Sequence, residues 1–284
     1  MKNLEVATKR GTILNGVIFN AENADTVLIA ITGIHGNFYS NPFYFNIGET
    51  LSSNGIDFIY AQTNDAFGKI ETFNLKTQKK EIIGSWNERF FYTDDDIESY
   101  LKFAKKNYKH IILAGHSLGA NKVIHYLSTH HDKNFPEHFI FLSPANLTYM
   151  MKNVSDYDKK IIKKYVNYGY GEKILPFEFM GWVECIANTA NDWIEGSLNN
   201  VHVEIDGDFS QIEKITHNGA MVIGTYDNFT CGDPKNFLEN INNHMKTSAE
   251  NKLIFIEKTG HTYQQKEQEI ADIILNLVKD WKNI

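Results

Sequence analysis

The chain has 284 residues, 42% hydrophobic and 13% aromatic, which supports one large core and excludes disorder. Its formal net charge is −7 with no long basic run, which excludes nucleic acid or an anionic membrane surface as the main partner. The two cysteines, Cys185 and Cys231, with no Cys-x-x-Cys, exclude a disulfide framework. Residues 1–6 lack the apolar core of a signal peptide, and no stretch is long and apolar enough to span a membrane. The expectation is a soluble, cytoplasmic protein.

Residues 4–8 and 12–19 alternate as two strands around Arg10-Gly11. Residues 27–32 are apolar throughout, as in a buried strand, and run into Gly33-Ile34-His35-Gly36-Asn37. A helix is predicted over 42–54, with Pro42 in its first turn, and a strand over 58–61. Residues 63–92 read as a long loop or small excursion. Thr93-Asp94-Asp95-Asp96 opens a helix over 93–107 with a cap and N-terminal acids. Further strands are predicted over 110–114, 139–143, 220–224 and 252–256, and helices over 120–127, 234–246 and 264–282.

Residues 147–215 break this rhythm. Helices are predicted over 159–168 and 177–190, amid a concentration of Tyr, Phe, Trp and Met. We read this segment as a cap inserted into a core of residues 1–146 and 216–284. Its aromatic residues either line an acyl or aromatic pocket or form the cap's own core. Strands alternating with helices predict an α/β architecture: a mostly parallel central sheet with helices on both faces. Ligands of such sheets bind beyond the carboxyl ends of the strands.

One motif lies at such an end. Gly115-His116-Ser117-Leu118-Gly119 reads Gly-x-Ser-x-Gly between a strand and a helix. A sharp turn there brings the serine against neighbouring backbone, so glycines two before and two after it remove clashing Cβ atoms. The serine Oγ then stands at a helix N-terminus, which favours developing negative charge.

Three other strand ends supply partners. His261, after Gly260, is a base suited to take the Ser117 proton near neutral pH. Asp227, after Gly224-Thr225-Tyr226, can accept the second imidazole N–H and fix the tautomer. The rival acid, Asp233, precedes Pro234 and reads better as a helix N-cap. A second oxyanion donor, beside the Leu118 N–H, is expected in the loop His35-Gly36-Asn37, at Asn37 or alternatively Phe38.

On these residues the chain resembles the α/β-hydrolase superfamily, serine esterases and lipases among them. The order Ser117, Asp227, His261 is that superfamily's order, and 147–215 is its usual place for a cap. The resemblance implies Ser117 as nucleophile, His261 as general base and acid, and Asp227 as the orienting acid. It implies an oxyanion hole of Leu118 and Asn37 main chain, supported by His35, Gly36, Gly115, His116 and Gly119. The loop departs from the His-Gly-Gly-Gly of many lipases.

The expected activity is hydrolysis of a small-molecule carboxylic ester through an acyl-enzyme, with no metal or organic cofactor. Acyl transfer or thioester cleavage would use the same residues. A non-catalytic ligand receptor on the same fold is the reading from a different class, and a peptidase ranks lower. His130-His131-Asp132 reads as a solvated helix end rather than a metal site. Arg89, beside Phe90-Phe91, reads as an ordinary salt bridge rather than an anchor for a substrate carboxylate. Cys231 reads as a small buried residue. Oligomeric state leaves no mark in the sequence.

Overall fold

The computed structural model describes residues 1–130, 135–230 and 232–282. Two N-terminal strands, β1 (Lys2–Ala7) and β2 (Ile13–Phe19), pair antiparallel with Leu4 opposite Gly16. The buried run forms β3 (Thr26–Ile31), followed by α1 (Phe43–Ser52) and β4 (Asp57–Ala61). Residues 63–92 are more ordered than their polarity suggests. They contain a separate hairpin, β5 (Ile70–Asn74) and β6 (Lys79–Ile83), and three short 3₁₀ turns.

Next come α2 (Thr93–Asn107), β7 (His110–His116), α3 (Leu118–Thr129) and β8 (His138–Leu142). The segment from 147 holds α4 (Leu147–Met150), α5 (Asp156–Asn167) and α6 (Ala187–Glu195). The chain closes with β9 (Gly219–Gly224), α7 (Pro234–Asn243), β10 (Lys252–Ile256) and α8 (Glu267–Lys282).

Eight strands form one sheet in the order β1-β2-β4-β3-β7-β8-β9-β10. The pairings from β4 to β10 are parallel, and those of β2 with β1 and β4 are antiparallel. Alternation along the strands gives the sheet two apolar faces. Val27, Ile29 and Ile31 of β3 pack with Ile97 and Leu101 of α2, Val123 and Leu127 of α3, and Phe237 and Ile241 of α7. Leu28 and Ala30 pack on the opposite face with Phe43 and Ile47 of α1 and Ile270 and Ile274 of α8.

A third apolar cluster joins residues of the 147–198 segment, among them Phe179, Val183 and Trp193, to Leu118 and Phe90. Val201, Phe209, Ile212 and Ile215 instead pack with the α3 side of the sheet. The helix expected over 177–190 is replaced by a tight turn and a later helix. Met180 (φ 55°) and Gly181 (φ 82°) take left-handed conformations, and the Phe179 N–H donates to the Val183 carbonyl at 2.8 Å. A left-handed pair cannot continue a right-handed helix, so α6 starts only at Ala187. Among the described residues no helix is long and apolar enough to cross a membrane.

Candidate active site

In a parallel sheet with crossover helices, the carboxyl ends of neighbouring strands share one edge. Here that edge carries the ends of β3, β7, β9 and β10, and with them residues 32–37, Ser117, Asp227 and His261. β7 turns directly into α3 at Ser117, whose backbone is held at φ 55° and ψ −129°. Such a conformation costs about 1–3 kcal/mol and persists only where the surroundings impose it.

They do so through close backbone packing. A Cβ on Gly115 would lie 2.3 Å from the Gly119 carbonyl oxygen, and one on Gly119 would lie 2.2 Å from that of Ile31. Any side chain at either glycine would force the strand, the turn and the helix apart. The Ser117 N–H donates to the Leu142 carbonyl of the next strand at 3.0 Å.

Ser117, His261 and Asp227 stand in one hydrogen-bonded line. The Ser117 hydroxyl meets His261 Nε2 at 2.8 Å, and His261 Nδ1 meets Asp227 Oδ2 at 2.9 Å. A carboxylate only accepts, so Nδ1 donates to Asp227, and Nε2 faces the serine hydroxyl where a neutral ring could accept its proton. The Asp227 side chain is fully buried, whereas that of His261 keeps 12% of its surface exposed.

Burial acts to raise the Asp227 carboxyl. The charge and hydrogen bond of His261, the Phe229 N–H and the Ser143 hydroxyl outweigh it and hold the group below its ordinary value. The Phe229 N–H donates to Asp227 Oδ1 at 2.9 Å, and the Phe229 ring lies over the His261 ring with centroids 4.4 Å apart. Asp233 occupies the other role expected of it. Its Oδ1 accepts the Asn236 N–H at 3.0 Å and caps α7 ahead of Pro234.

The oxyanion loop differs from expectation. The Asn37 N–H is used inside its own turn, donating to the His35 carbonyl at 3.0 Å and to Ser40 Oγ at 3.2 Å. The Asn37 side chain accepts from Tyr39 and Ser40 and donates to Ala66, so the residue shapes the loop. His35 and Gly36 N–H groups are also occupied, by the carbonyls of Asp65 and Gly33. Phe38 turns its ring toward Tyr60 and Phe19, on the α1 side of the sheet.

The backbone that reaches the serine is earlier in the loop. A Cβ on Gly33 would lie 3.0 Å from Ser117 Cβ and 3.1 Å from the Leu118 nitrogen. The next residue, Ile34, packs against the cluster containing Leu118, and its N–H has no acceptor among the described residues. The sequence reading did not weigh Ile34 because it keyed on His35-Gly36. The available signal was distance from the strand: β3 ends at Ile31, and the first backbone past that end is the part beside the elbow.

The other expected residues find structural places. His35 Nε2 meets Ser85 Oγ at 2.8 Å, with its ring against Trp182. His116 is buried, and its Nε2 meets the His261 carbonyl oxygen at 2.8 Å. Arg89 clasps Asp192 of α6 through Nε at 2.8 Å and a second guanidinium nitrogen at 3.2 Å. Of the aromatic residues in 147–215, Phe179 and Trp193 are core, Tyr168, Tyr170 and Trp182 are exposed, and Tyr149 packs edge-on against Phe229. Cys231, His131 and Asp132 lie outside the described residues.

Comparison with known proteins places this architecture. Residues 13–214, well over half of the chain, match the family described as "Protein of unknown function (DUF1749)". The chain belongs to the DUF1749 family. Ser117 and the whole loop 32–37 lie inside the span that defines the family, whereas Asp227 and His261 lie beyond it.

No curated protein matches the sequence. Solved structures do match the fold. The α/β hydrolase GrgF from Penicillium sp. sh18 aligns with a TM-score of 0.66 at 15% identity, over 98% of both chains. Est1E from Butyrivibrio proteoclasticus aligns at 0.64 and 15% identity over 100% of both. A soluble variant of monoglyceride lipase from Saccharomyces cerevisiae aligns at 0.64 and 15% identity, over 99% of this chain and 93% of that one. The fold of this DUF1749 protein is that of the α/β-hydrolase superfamily.

Proposed function

We propose that this protein is a serine hydrolase that cleaves a carboxylic ester through an acyl-enzyme on Ser117. The observation that carries the reading is the unbroken line from Ser117 Oγ to His261 Nε2 (2.8 Å) and from His261 Nδ1 to Asp227 Oδ2 (2.9 Å). Ser117 Oγ attacks the ester carbonyl as its proton passes to His261 Nε2. Asp227 keeps the ring in the required tautomer and stabilises the imidazolium.

The carbonyl oxygen becomes an oxyanion, held by the Leu118 N–H at the start of α3 and the Ile34 N–H beside Gly33. His261 returns its proton to the alkoxide leaving group, and the alcohol departs. Water, deprotonated by the same ring, then attacks the acyl-enzyme and frees the acid and Ser117. No step draws on a metal or organic cofactor. In this reading the inserted segment 147–215 supplies a cap from residues 147–198, while Val201, Phe209, Ile212 and Ile215 pack with the core of 1–146 and 216–284. The cap's own cluster runs to Leu198 and docks on Leu118.

Intact mass after exposure to a fluorophosphonate tests the reading, on the native chain and on Ser117→Ala. One adduct on the native chain and none on the variant is the expected result. A folded native chain that takes no adduct would overturn it and favour a ligand receptor. A panel of chromogenic esters and thioesters of rising acyl length then separates ester from thioester cleavage. A feruloyl ester belongs in that panel, because Est1E has been solved with ferulic acid bound.

A further inference from the structure

His116 precedes the nucleophile, yet its side chain points at the base. Its ring is buried in an aromatic cage, edge-on to Phe43 at 5.0 Å and to Tyr44 at 6.3 Å, with Tyr263 at 6.0 Å. Its Nε2 lies 2.8 Å from the carbonyl oxygen of His261. A carbonyl only accepts, so Nε2 carries the proton and donates it. Burial first, and then the nearby His261 ring, lower the His116 pKa to about 3, so the ring is neutral at working pH. It therefore places no second positive charge beside the imidazolium that forms on His261, whose ring centroid is 5.0 Å away.

The segment that His116 grips needs holding. The turn after β10 carries three non-glycine residues with left-handed backbone: Lys258 (φ 60°), Tyr263 (φ 52°) and Gln265 (φ 63°). Such residues relax unless neighbours fix them. Tyr263 is fixed by the core, its hydroxyl donating to the Val222 carbonyl at 3.1 Å and accepting from Ser143 at 3.0 Å. Asp227 sets the rotation of the His261 ring through Nδ1. The Tyr226 N–H also holds the Thr259 carbonyl at 2.9 Å, two residues before the base, but none of these contacts ties the His261 main chain to the elbow that carries Ser117.

We propose that His116 is the positioning residue that does so: its Nε2–H is a strut from the residue bonded to the nucleophile to the main chain of the base. This rests on the hydrolase reading above. Misplacing a reacting group by about 1 Å costs roughly 10²-fold in rate.

The test compares His116→Phe, which fills the aromatic cage without a donor, with His116→Gln, whose amide nitrogen reaches the Nε2 position. Fluorophosphonate labelling rates and kcat and KM for p-nitrophenyl acetate are measured beside the far-ultraviolet circular dichroism of each variant. The expected result is a loss of about 10- to 100-fold in labelling and kcat for His116→Phe, with KM unchanged and most of the loss recovered in His116→Gln. Equal rates in folded wild type and His116→Phe would overturn the proposal, as would equal losses in both variants.

Should His116→Phe not fold, His116→Asn takes its place, since its shorter amide cannot reach the carbonyl. Activity in Gln but not in Asn supports the strut, and equal activity overturns it. The low-field proton resonance of His261 Nδ1–H reads the same point without turnover. Its loss in the donorless variant and retention in His116→Gln support the strut, and retention in both overturns it. A wild type that takes no adduct defeats the hydrolase reading alone, because this resonance still decides the role of His116.

Discussion

Ser117 sits in a backbone conformation that its neighbours impose, and Gly33 is packed against it. An added Cβ there would lie 2.8 Å from the His116 carbonyl oxygen and 3.0 Å from Ser117 Cβ. Gly33→Ala should push the Ile34 backbone off the elbow. The expected outcome is a loss of about 10²- to 10³-fold in fluorophosphonate labelling, the cost of one missing oxyanion donor, in a protein that still unfolds cooperatively. Labelling at the native rate would remove Ile34 from the mechanism. Asp227 makes a separate prediction. Asp227→Asn keeps the shape but offers the wrong tautomer, so kcat should fall about 10⁴-fold while KM barely changes. Asp233→Asn leaves the N-cap of α7 in place and should leave kcat unaltered.

Elements transmit these residue positions through a few shared contacts. α6 is tied to the loop before α2 by Asp192, which accepts from Arg89 and from the Phe90 N–H at 3.1 Å. Thr189 of the same helix donates to the Glu88 carbonyl at 2.8 Å. The Ala187 and Asn188 N–H groups donate to the Lys173 and Gly171 carbonyls at 2.9 and 2.8 Å, and Ala187, Ala190 and Trp193 add apolar packing. Asp192→Ala leaves a donor unpaired and should cost about 1–3 kcal/mol of stability. Hydrogen exchange locates the effect: amides of residues 187–195 should exchange faster, while those of α3 stay protected. Uniform acceleration across both helices would show that the segment is not held locally.

Across the whole molecule, one buried charge network joins parts distant in sequence. Lys122 of α3, almost wholly buried, meets Asp65 at 3.0 Å and Glu88 at 2.8 Å, and Arg10 meets Asp96 at 2.6 Å. Asp65 also receives the His35 N–H on its carbonyl, so the network reaches the oxyanion loop. Lys122→Met strands two buried carboxylates and should cost about 3–5 kcal/mol, read as a lowered urea midpoint.

Burial, reinforced by Asp65 and Asp96 and opposed by Lys122, raises the Glu88 pKa from 4.5 to about 7. The folded chain then binds a proton that the unfolded chain has released between those values. The associated stability is fully present below pH 4.5 and is lost as pH rises to about 7. Glu88→Gln should abolish that part of the slope. Identical slopes in the two proteins between pH 5 and pH 7 would exclude Glu88 as its source.

What the sequence by itself determined is what one dimension encodes. Apolar runs and helical periodicity placed β3, β7, β8 and α2 within a few residues. The three residues of the line were legible because each follows a strand, and the ends of parallel strands gather on one edge. The hairpin of β5 and β6 escaped notice because Lys79-Lys80-Glu81 hides an edge strand under charge. The tertiary structure alone decided which N–H groups remain unpaired, and so favoured Ile34 over Asn37. It alone buried Lys122 against Asp65 and Glu88, on a different side of α3 from Ala120 and Leu127, and aimed His116 at the His261 carbonyl. Hydrogen-bond satisfaction and burial depend on neighbours that are remote along the chain, and no local pattern of residues records them.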